Sequence, residues 1–372
     1  MELLTKDSIK LLKEIEGIKN KSEKTDYKIS KNIYFNQLKK KVIHIYQYFD
    51  DYFENKMNKL NIEKNNNHLN DNSYFIGTSI RNKIKKLQNS YKVNINNIEL
   101  IFITNKKLTK NVKRKIKTIL KVISTIKQLF NNEKNYQSIT IYDINENKHL
   151  PNKKNSVIGP GNCNSGYCNV VKEVNKNGSI VFYRNEELLK VLIHESIHAN
   201  FIDFEIIMNQ EHQNMDKKIC TNYNILLNEA FTETFACLIN CILIHYYTKF
   251  NIDKIYNNEV KYMKYIFNHL MNYYNIEKMD NILVIDGCKK YFKQSTNVFS
   301  YYVLKTLNYL NINDFLKIMK KCSNNYYKIN HSFNKIYVDF VFKNIHDLDT
   351  YIKKEVIKNK KFRLSLYELK LT

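Results

Sequence analysis

Apolar positions recur at helical spacing from the start of the chain: Leu3, Leu4, Ile9, Leu11, Leu12, Ile15 and Ile18, then, after a polar gap, Val42, Ile43, Ile45, Tyr46 and Phe49. Residues 1 to about 60 therefore read as an amphipathic helical extension forming an accessory layer. Residues 61–73 are Asn-rich and carry too little apolar surface to offset the entropy of ordering them, which marks a linker. Beyond it the pattern predicts a strand over 98–104, a helix near 108–130 and a strand over 138–144. Two short strands follow, 167–172 and 179–184, joined by a hairpin turn over 174–178. After Gly178 no glycine occurs until Gly287 and no proline at all, so the chain from Asn185 onward is expected to run as long helices. The expected fold class is α+β, a mixed sheet followed by a mostly helical part, with the helical extension in front. The expected divisions are 1–60, the linker 61–73, a sheet-containing subdomain 74–202, a helical subdomain 203–345 and a C-terminal helix or tail 346–372.

With 372 residues and 43% hydrophobic content the chain can bury a sizeable core. Sixty Lys and Arg against 36 Asp and Glu leave a net charge of +24, which on its face points to an anionic partner. Only four of the 60 are arginine (Arg81, Arg114, Arg184 and Arg363), the residue whose planar fork serves phosphate and base recognition best, and the lysines are scattered. Abundant Asn, Lys, Ile and Tyr with scarce Ala, Gly, Pro and Arg is what an AT-rich coding sequence produces without selection for charge, so no specific nucleic-acid partner is expected. Against that bias the only three alanines, Ala199, Ala230 and Ala236, stand in the two segments that carry the chemistry. Seven cysteines without a Cys-x-x-Cys pair indicate neither a disulfide framework nor a cysteine metal site, and Cys163 and Cys168 read as free structural thiols. The N-terminus has acidic residues and no apolar segment of signal-peptide length, and Glu229 and Glu233 interrupt the most apolar stretch. The expectation is a soluble cytoplasmic protein, not secreted, with no membrane span.

Asn185 is expected to cap a helix reading Glu-Glu-Leu-Leu-Lys-Val-Leu-Ile-His-Glu-Ser-Ile-His-Ala, with Glu186 and Glu187 in its first turn facing the positive end of the macrodipole. His194 and His198 are four apart, so on a 3.6-residue repeat both imidazoles project from one face and can reach a single ion. Glu195 sits beside the first of them, off the metal but placed to take a proton from an attacking water and return it to a leaving amine. Another protein ligand is needed. Residues 226–236 supply two carboxylates four apart: Glu229 is the expected ligand, and Glu233 the expected partner for the outer nitrogen of a ligating histidine. Asp203, Glu205 and His212 are weaker options for the third ligand. The bland alternative is a buried polar helix pair. It is costly, because Glu229 and Glu233 lie in an apolar stretch running on to Ile244, where unpaired carboxylates are heavily penalised. The expected cofactor is Zn2+.

His-Glu-Ser-Ile-His at 194–198 followed by Asn-Glu-Ala-Phe-Thr-Glu at 228–233 resembles the gluzincin, or thermolysin-like, metallopeptidase pattern of His-Glu-x-x-His then Asn-Glu-x-x-Ser-Asp. The likeness covers residues 98 to about 247; it departs from the family at Glu233, where an Asp is usual, and in the 30 residues between His198 and Glu229. It implies a zincin-like core, in which a helix packs on a small twisted sheet, an edge strand binds extended substrate and the active-site helix follows. It also implies zinc on His194, His198 and Glu229, Glu195 as general base, and a peptide or protein substrate. The family's oxyanion donor is a Tyr or His downstream, and residues 294–302, opening a helix capped by Ser295 or Thr296, offer Tyr301 and Tyr302. His245 and His269 read as ordinary helix residues. The glycine-bearing loop 159–168 either shapes the substrate groove or is a plain turn. The coding bias also resembles that of metallopeptidase-like proteins of large DNA viruses, for which host cytoplasm or virion would be the setting. Two other functions stay open: a basic nucleic-acid-binding protein with a structural zinc, and an inactive peptidase fold kept for binding.

Overall fold

Along residues 98–104 the apolar run sends Leu100 and Phe102 to one side and Ile101 and Ile103 to the other, and this period of two organises the molecule. The computed structural model describes residues 2–17, 26–56, 61–64, 73–131, 136–169, 179–200, 202–203, 225–283, 292–322, 329, 332–354 and 361–371. The fold is α+β, built on a mixed sheet that has six strands among the described residues. Its strands are β1 (Glu63–Lys64), β2 (Asn89–Ile95), β3 (Ile98–Thr104), β4 (Gln137–Tyr142), β5 (Gly166–Asn169) and β6 (Ser179–Phe182), in the order β1-β2-β3-β4-β6-β5. β3, β4 and β6 run parallel; β1, β2 and β3 pair antiparallel, and β5 runs antiparallel to β6 at the edge.

Among the described residues the α-helices are α1 (Lys6–Gly17), α2 (Ile33–Lys56), α3 (Thr78–Ile84), α4 (Lys110–Leu129), the single turn α5 (Pro160–Cys163), α6 (Leu188–Ala199), α7 (Leu227–Thr248), α8 (Ile252–Tyr273), α9 (Asp280–Leu283), α10 (Lys305–Leu310), α11 (Ile312–Cys322) and α12 (Ser332–Asn344). Both sheet faces are covered. Leu100, Phe102, Ile139, Ile141, Ile180 and Phe182 join the main core with α4, α6 and α7, whereas Ile103, Tyr142, Val181 and Tyr183 meet Ile76, Ile80 and Ile84 around α3. Helix α6 packs against α4, α7, β5 and β6, so it is held from every direction.

The strands expected at 98–104 and 138–144 fall on β3 and β4, and the helix expected near 108–130 on α4. The pair expected at 167–172 and 179–184 falls on β5 and β6, while the turn 174–178 lies outside the described residues. The hairpin of β2 and β3 adds a strand beyond those expected from the sequence. Its two turn residues, Asn96 and Asn97, have φ of 49° and 57°, the left-handed pair that suits a two-residue hairpin. Within the stretch expected as linker, Glu63 and Lys64 pair with Lys92 and Tyr91.

The N-terminal helices share the main core. Leu38, Val42, Tyr46 and Phe53 of α2 are buried in it, α2 packs on α4 and α7, and the Tyr46 hydroxyl meets that of Tyr247. Helix α7 is long and apolar enough, by length and composition, to cross a bilayer. However, 94% of its most apolar window is buried inside the protein, as a core helix requires.

Candidate metal centre

The entry into α6 is built by charge rather than by a side-chain cap. Asn185, expected as the cap, uses its carboxamide elsewhere: Nδ2 donates to Asp143 Oδ1 (2.7 Å) and Oδ1 accepts from Lys115 Nζ (2.9 Å). Glu186 and Glu187 precede the helix instead of forming its first turn, and Glu187 takes the left-handed conformation at φ 60°. That state costs a non-glycine residue roughly 1–2 kcal/mol and persists only where surroundings enforce it. Here Glu187 Oε2 accepts from Lys148 Nζ (2.7 Å) and from the Leu364 amide (3.0 Å), and its own amide donates to Glu368 Oε1 (2.8 Å). Burial opposes ionisation of Glu187, but Lys148, Lys190 and Arg363 outweigh it and bring the carboxyl down to about 2.

Every residue of α6 is buried, so its polar side chains need partners. The Nε2 atoms of His194 and His198 lie 3.0 Å apart, and Glu229 Oε2, from α7, lies 3.2 Å from the first and 3.3 Å from the second. The three atoms form a nearly equilateral triangle. A tetrahedral ion bonded at about 2.0–2.1 Å holds its ligand atoms about 3.3–3.4 Å apart, so the triangle fits one face of such a polyhedron. Two imidazoles and a carboxylate are also a donor set that suits zinc.

Each imidazole presents its other nitrogen to a carboxylate. His198 Nδ1 lies 2.7 Å from Asp203 Oδ2, which also accepts from Asn228 Nδ2 (2.9 Å) and Thr232 Oγ1 (3.3 Å). Asp203, an alternative ligand by sequence, thus stands behind His198; Glu205 and His212 lie outside the described residues. His194 Nδ1 lies 3.0 Å from Glu233 Oε2. Both Glu233 oxygens accept from Lys190 Nζ at 2.9 Å, and Lys305 Nζ lies 3.1 Å from Oε1. The Asp203 bond is of the kind that fixes tautomer and ring orientation, and Glu233 lies at ion-pair distance from the other ring.

Burial works against charge on both imidazoles, yet Glu229 and Glu233 raise the pKa of His194, and Asp203 with Glu229 raises that of His198 well above its usual value. Burial likewise opposes ionisation of Glu229 and Glu233, but His198 and His194 hold the first low, and Lys190 and Lys305 hold the second well below the carboxylate range. Among the described residues, Glu229 in the triangle and Glu195, Asp203 and Glu233 around it make four carboxylates, against the two ammonium groups, Lys190 and Lys305, that contact Glu233. The surplus of two negative charges is what a divalent cation balances with both imidazoles neutral.

Glu195 is 7% exposed and faces a cavity that it lines with Lys190, His194, Asn164, Gly166 and Tyr301. Burial raises its carboxyl, with His194 and His198 acting in the opposite direction. Residues Phe299–Leu304 form a π-helix, in which the extra residue per turn re-aims side chains. The Tyr301 ring stands edge-on to His194 at 5.8 Å between centroids, and its phenol is pushed up by burial and by Glu229 and Glu195. Tyr302, the other candidate donor, faces away: its hydroxyl donates to the Phe362 carbonyl (2.8 Å) and its ring stacks on Phe362 at 4.1 Å. Neither Ser295 nor Thr296 caps this helix, and Thr296 Oγ1 donates instead to Asn164 Oδ1 (3.2 Å).

The loop 159–168 borders the site, since Asn164, Ser165 and Gly166 line the cavity. A Cβ on Gly166 would meet Val181 O and the Phe182 ring at 2.8 Å, so a side chain there would push β5 off β6. Cys163 is buried outside the triangle, its thiol pushed up to about 12 by burial. His245 contacts the Phe250 carbonyl at the end of α7, and burial pulls His269 down to about 4; neither joins the cluster. The partners missed in the sequence are Lys190 and Lys305, together with the orienting part played by Asp203. Lys190 carried a signal, standing one helical turn before His194 on the same face. Lys305 carried none, being 72 residues from Glu233.

Fold and site together define an α+β protein in which two imidazoles from one helix meet a carboxylate from a second helix packed against it. No family model matches the chain. It is similar to uncharacterized protein R210 of Acanthamoeba polyphaga mimivirus, 23% identical over an alignment of 296 positions that covers 74% of this chain and 73% of that protein. No solved structure matches.

Proposed function

We propose that the protein is a zinc-dependent peptidase with a zincin-like core, hydrolysing peptide bonds in peptide or protein substrates. The observation that carries this reading is the triangle of His194, His198 and Glu229 with Glu195 beside it on α6, facing the cavity. Those three side chains would hold the ion, which when bound supplies polarisation of the scissile carbonyl and a lowered water pKa. The same donor set takes iron(II) in some oxygenases, but a buried glutamate and a phenol beside it serve proton transfer and oxyanion binding rather than redox chemistry. Glu195, raised by burial, takes the proton of the attacking water and passes it to the departing amine, without an acyl-enzyme. Tyr301, kept protonated by its surroundings, donates a hydrogen bond to the oxygen on which charge develops. Asp203 and Glu233 hold the two imidazoles in one orientation. β5 ends the sheet among the described strands, so an extended peptide can add along it with Gly166 beside the cavity.

Purified protein is expected to contain about one zinc per chain by elemental analysis and to cleave members of a peptide library, with a chelator abolishing cleavage and added zinc restoring it. Cleavage indifferent to chelation, or a protein that takes up no metal, would end the proposal. Tyr301→Phe is expected to lower kcat about 100-fold, the usual loss for one oxyanion donor, with KM and zinc content little changed. Steady-state kinetics with unaltered kcat would remove Tyr301 from this role.

A further inference from the structure

Residues 361–371 form an extended strap whose only backbone pairings with other strand-like segments, among the described residues, are single bridges from Lys361 to His149 and from Leu369 to Leu4. Phe362 to Tyr367 are buried, and their polar groups are held largely by side chains from elsewhere. Ser365 Oγ and the amides of Leu366 and Tyr367 converge on Glu259 Oε1 at 2.8–3.1 Å. The Tyr262 hydroxyl donates to Arg363 O (3.1 Å) and the Tyr302 hydroxyl to Phe362 O (2.8 Å). Glu259 is fully buried, and a buried carboxylate is tolerated only where such donors are in place, so the groove and the strap require each other.

Two of the strap's anchors continue into the metal cluster. Lys305 Nζ donates to the Leu364 carbonyl and lies 3.1 Å from Glu233 Oε1, and Glu233 in turn faces His194 Nδ1. Glu187, which accepts from the Leu364 amide, is the left-handed residue at the head of α6. Leu364 also lines the cavity beside His194 and Glu195. We propose that the strap is a positioning element of the metal centre: through Leu364 it fixes Lys305 and Glu187, and through them the orientation of His194. This inference rests on the metallopeptidase reading in so far as His194 holds an ion.

Zinc and cobalt(II) are the probes, on the whole 372-residue chain. Lys305→Met cuts the link between strap and Glu233; Glu259→Gln weakens the strap's anchor without touching any proposed ligand; Tyr302→Phe removes one hydroxyl and keeps the ring stacked on Phe362. Chelator competition is expected to give a zinc Kd raised about 10- to 100-fold in the first two variants, and less in the third, as for other outer partners of metal ligands. The cobalt(II) visible spectrum should shift with it, while circular dichroism of the metal-free variants overlays the parent. Unchanged Kd and spectrum in Glu259→Gln, whatever Lys305→Met does, would overturn the inference, since the strap would then be structural only. Should Glu259→Gln not fold, Tyr302→Phe decides by the same criterion. A parent protein that binds neither zinc nor cobalt(II) sinks the metal reading itself, a result distinct from variants that match a metal-binding parent.

Discussion

Glu195→Gln is expected to lower kcat on a cleavable peptide by about 10²- to 10⁴-fold, the range lost with a general base, while zinc content stays at the parent level. The amide keeps the size and shape of the side chain but cannot accept the proton. Glu195 stands outside the triangle formed by His194, His198 and Glu229, so its loss leaves all three donors in place. It removes one of the four carboxylates around the cluster, which weakens the attraction for a cation without removing a bond. Burial, which raises the carboxyl of Glu195, places it nearer the pKa that proton transfer at neutral pH demands. Two measurements on one preparation decide the matter: initial rates and metal per chain. Parental turnover in the variant would sink Glu195 as base, and loss of the metal with turnover would make it a ligand instead.

The parts of the site that were legible in the sequence are those fixed within one helix. His194 and His198 meet because four residues make about one turn, and Glu229 and Glu233 point inward together for the same reason. Lys305 reaches the same glutamate only through tertiary packing, so no local pattern marks it. Between Tyr301 and Tyr302 the sequence could not choose, because a π-helix shifts the facing by a fraction of a turn that regular periodicity does not include. The strap 361–371 left no periodic trace either: its partners are side chains rather than a neighbouring strand or a helix repeat.

Asparagine, not glycine, carries the left-handed backbone of the described turns. Among the described residues no glycine has positive φ, while Asn96, Asn97, Asn131, Asn155 and Asn275 do; the Asn-Gly turn expected at 177–178 lies outside the described residues. Asparagine is the next most tolerant residue in the left-handed region, and in a chain so rich in it the hairpin of β2 and β3 turns on Asn-Asn. The same bias supplies lysine where other proteins would use arginine. Lys148, Lys190 and Lys305 are buried as internal counterions to Glu187 and Glu233, so part of the basic excess serves the site itself.

Glu229→Ala is expected to raise the zinc Kd by more than about 100-fold, beyond the 10- to 100-fold typical of outer partners, because it deletes a corner of the triangle rather than a support. Two imidazoles 3.0 Å apart remain, and a water can fill the third position, but the charge that offsets a divalent ion at the point of contact is gone. The metal-free variant should still fold: Glu229 is the most exposed member of the cluster, at 14% of its side chain, and removing it lessens the surplus of negative charge. Thermal unfolding separates the two effects. With zinc at 1,000 times its Kd the parent gains about 4 kcal/mol from binding, and its Tm rises accordingly; the variant at the same zinc concentration should show little of that rise. An equal zinc-dependent shift in both proteins would mean that Glu229 is not a ligand, and Asp203, the weighed alternative within the described residues, would then have to release His198 in order to serve.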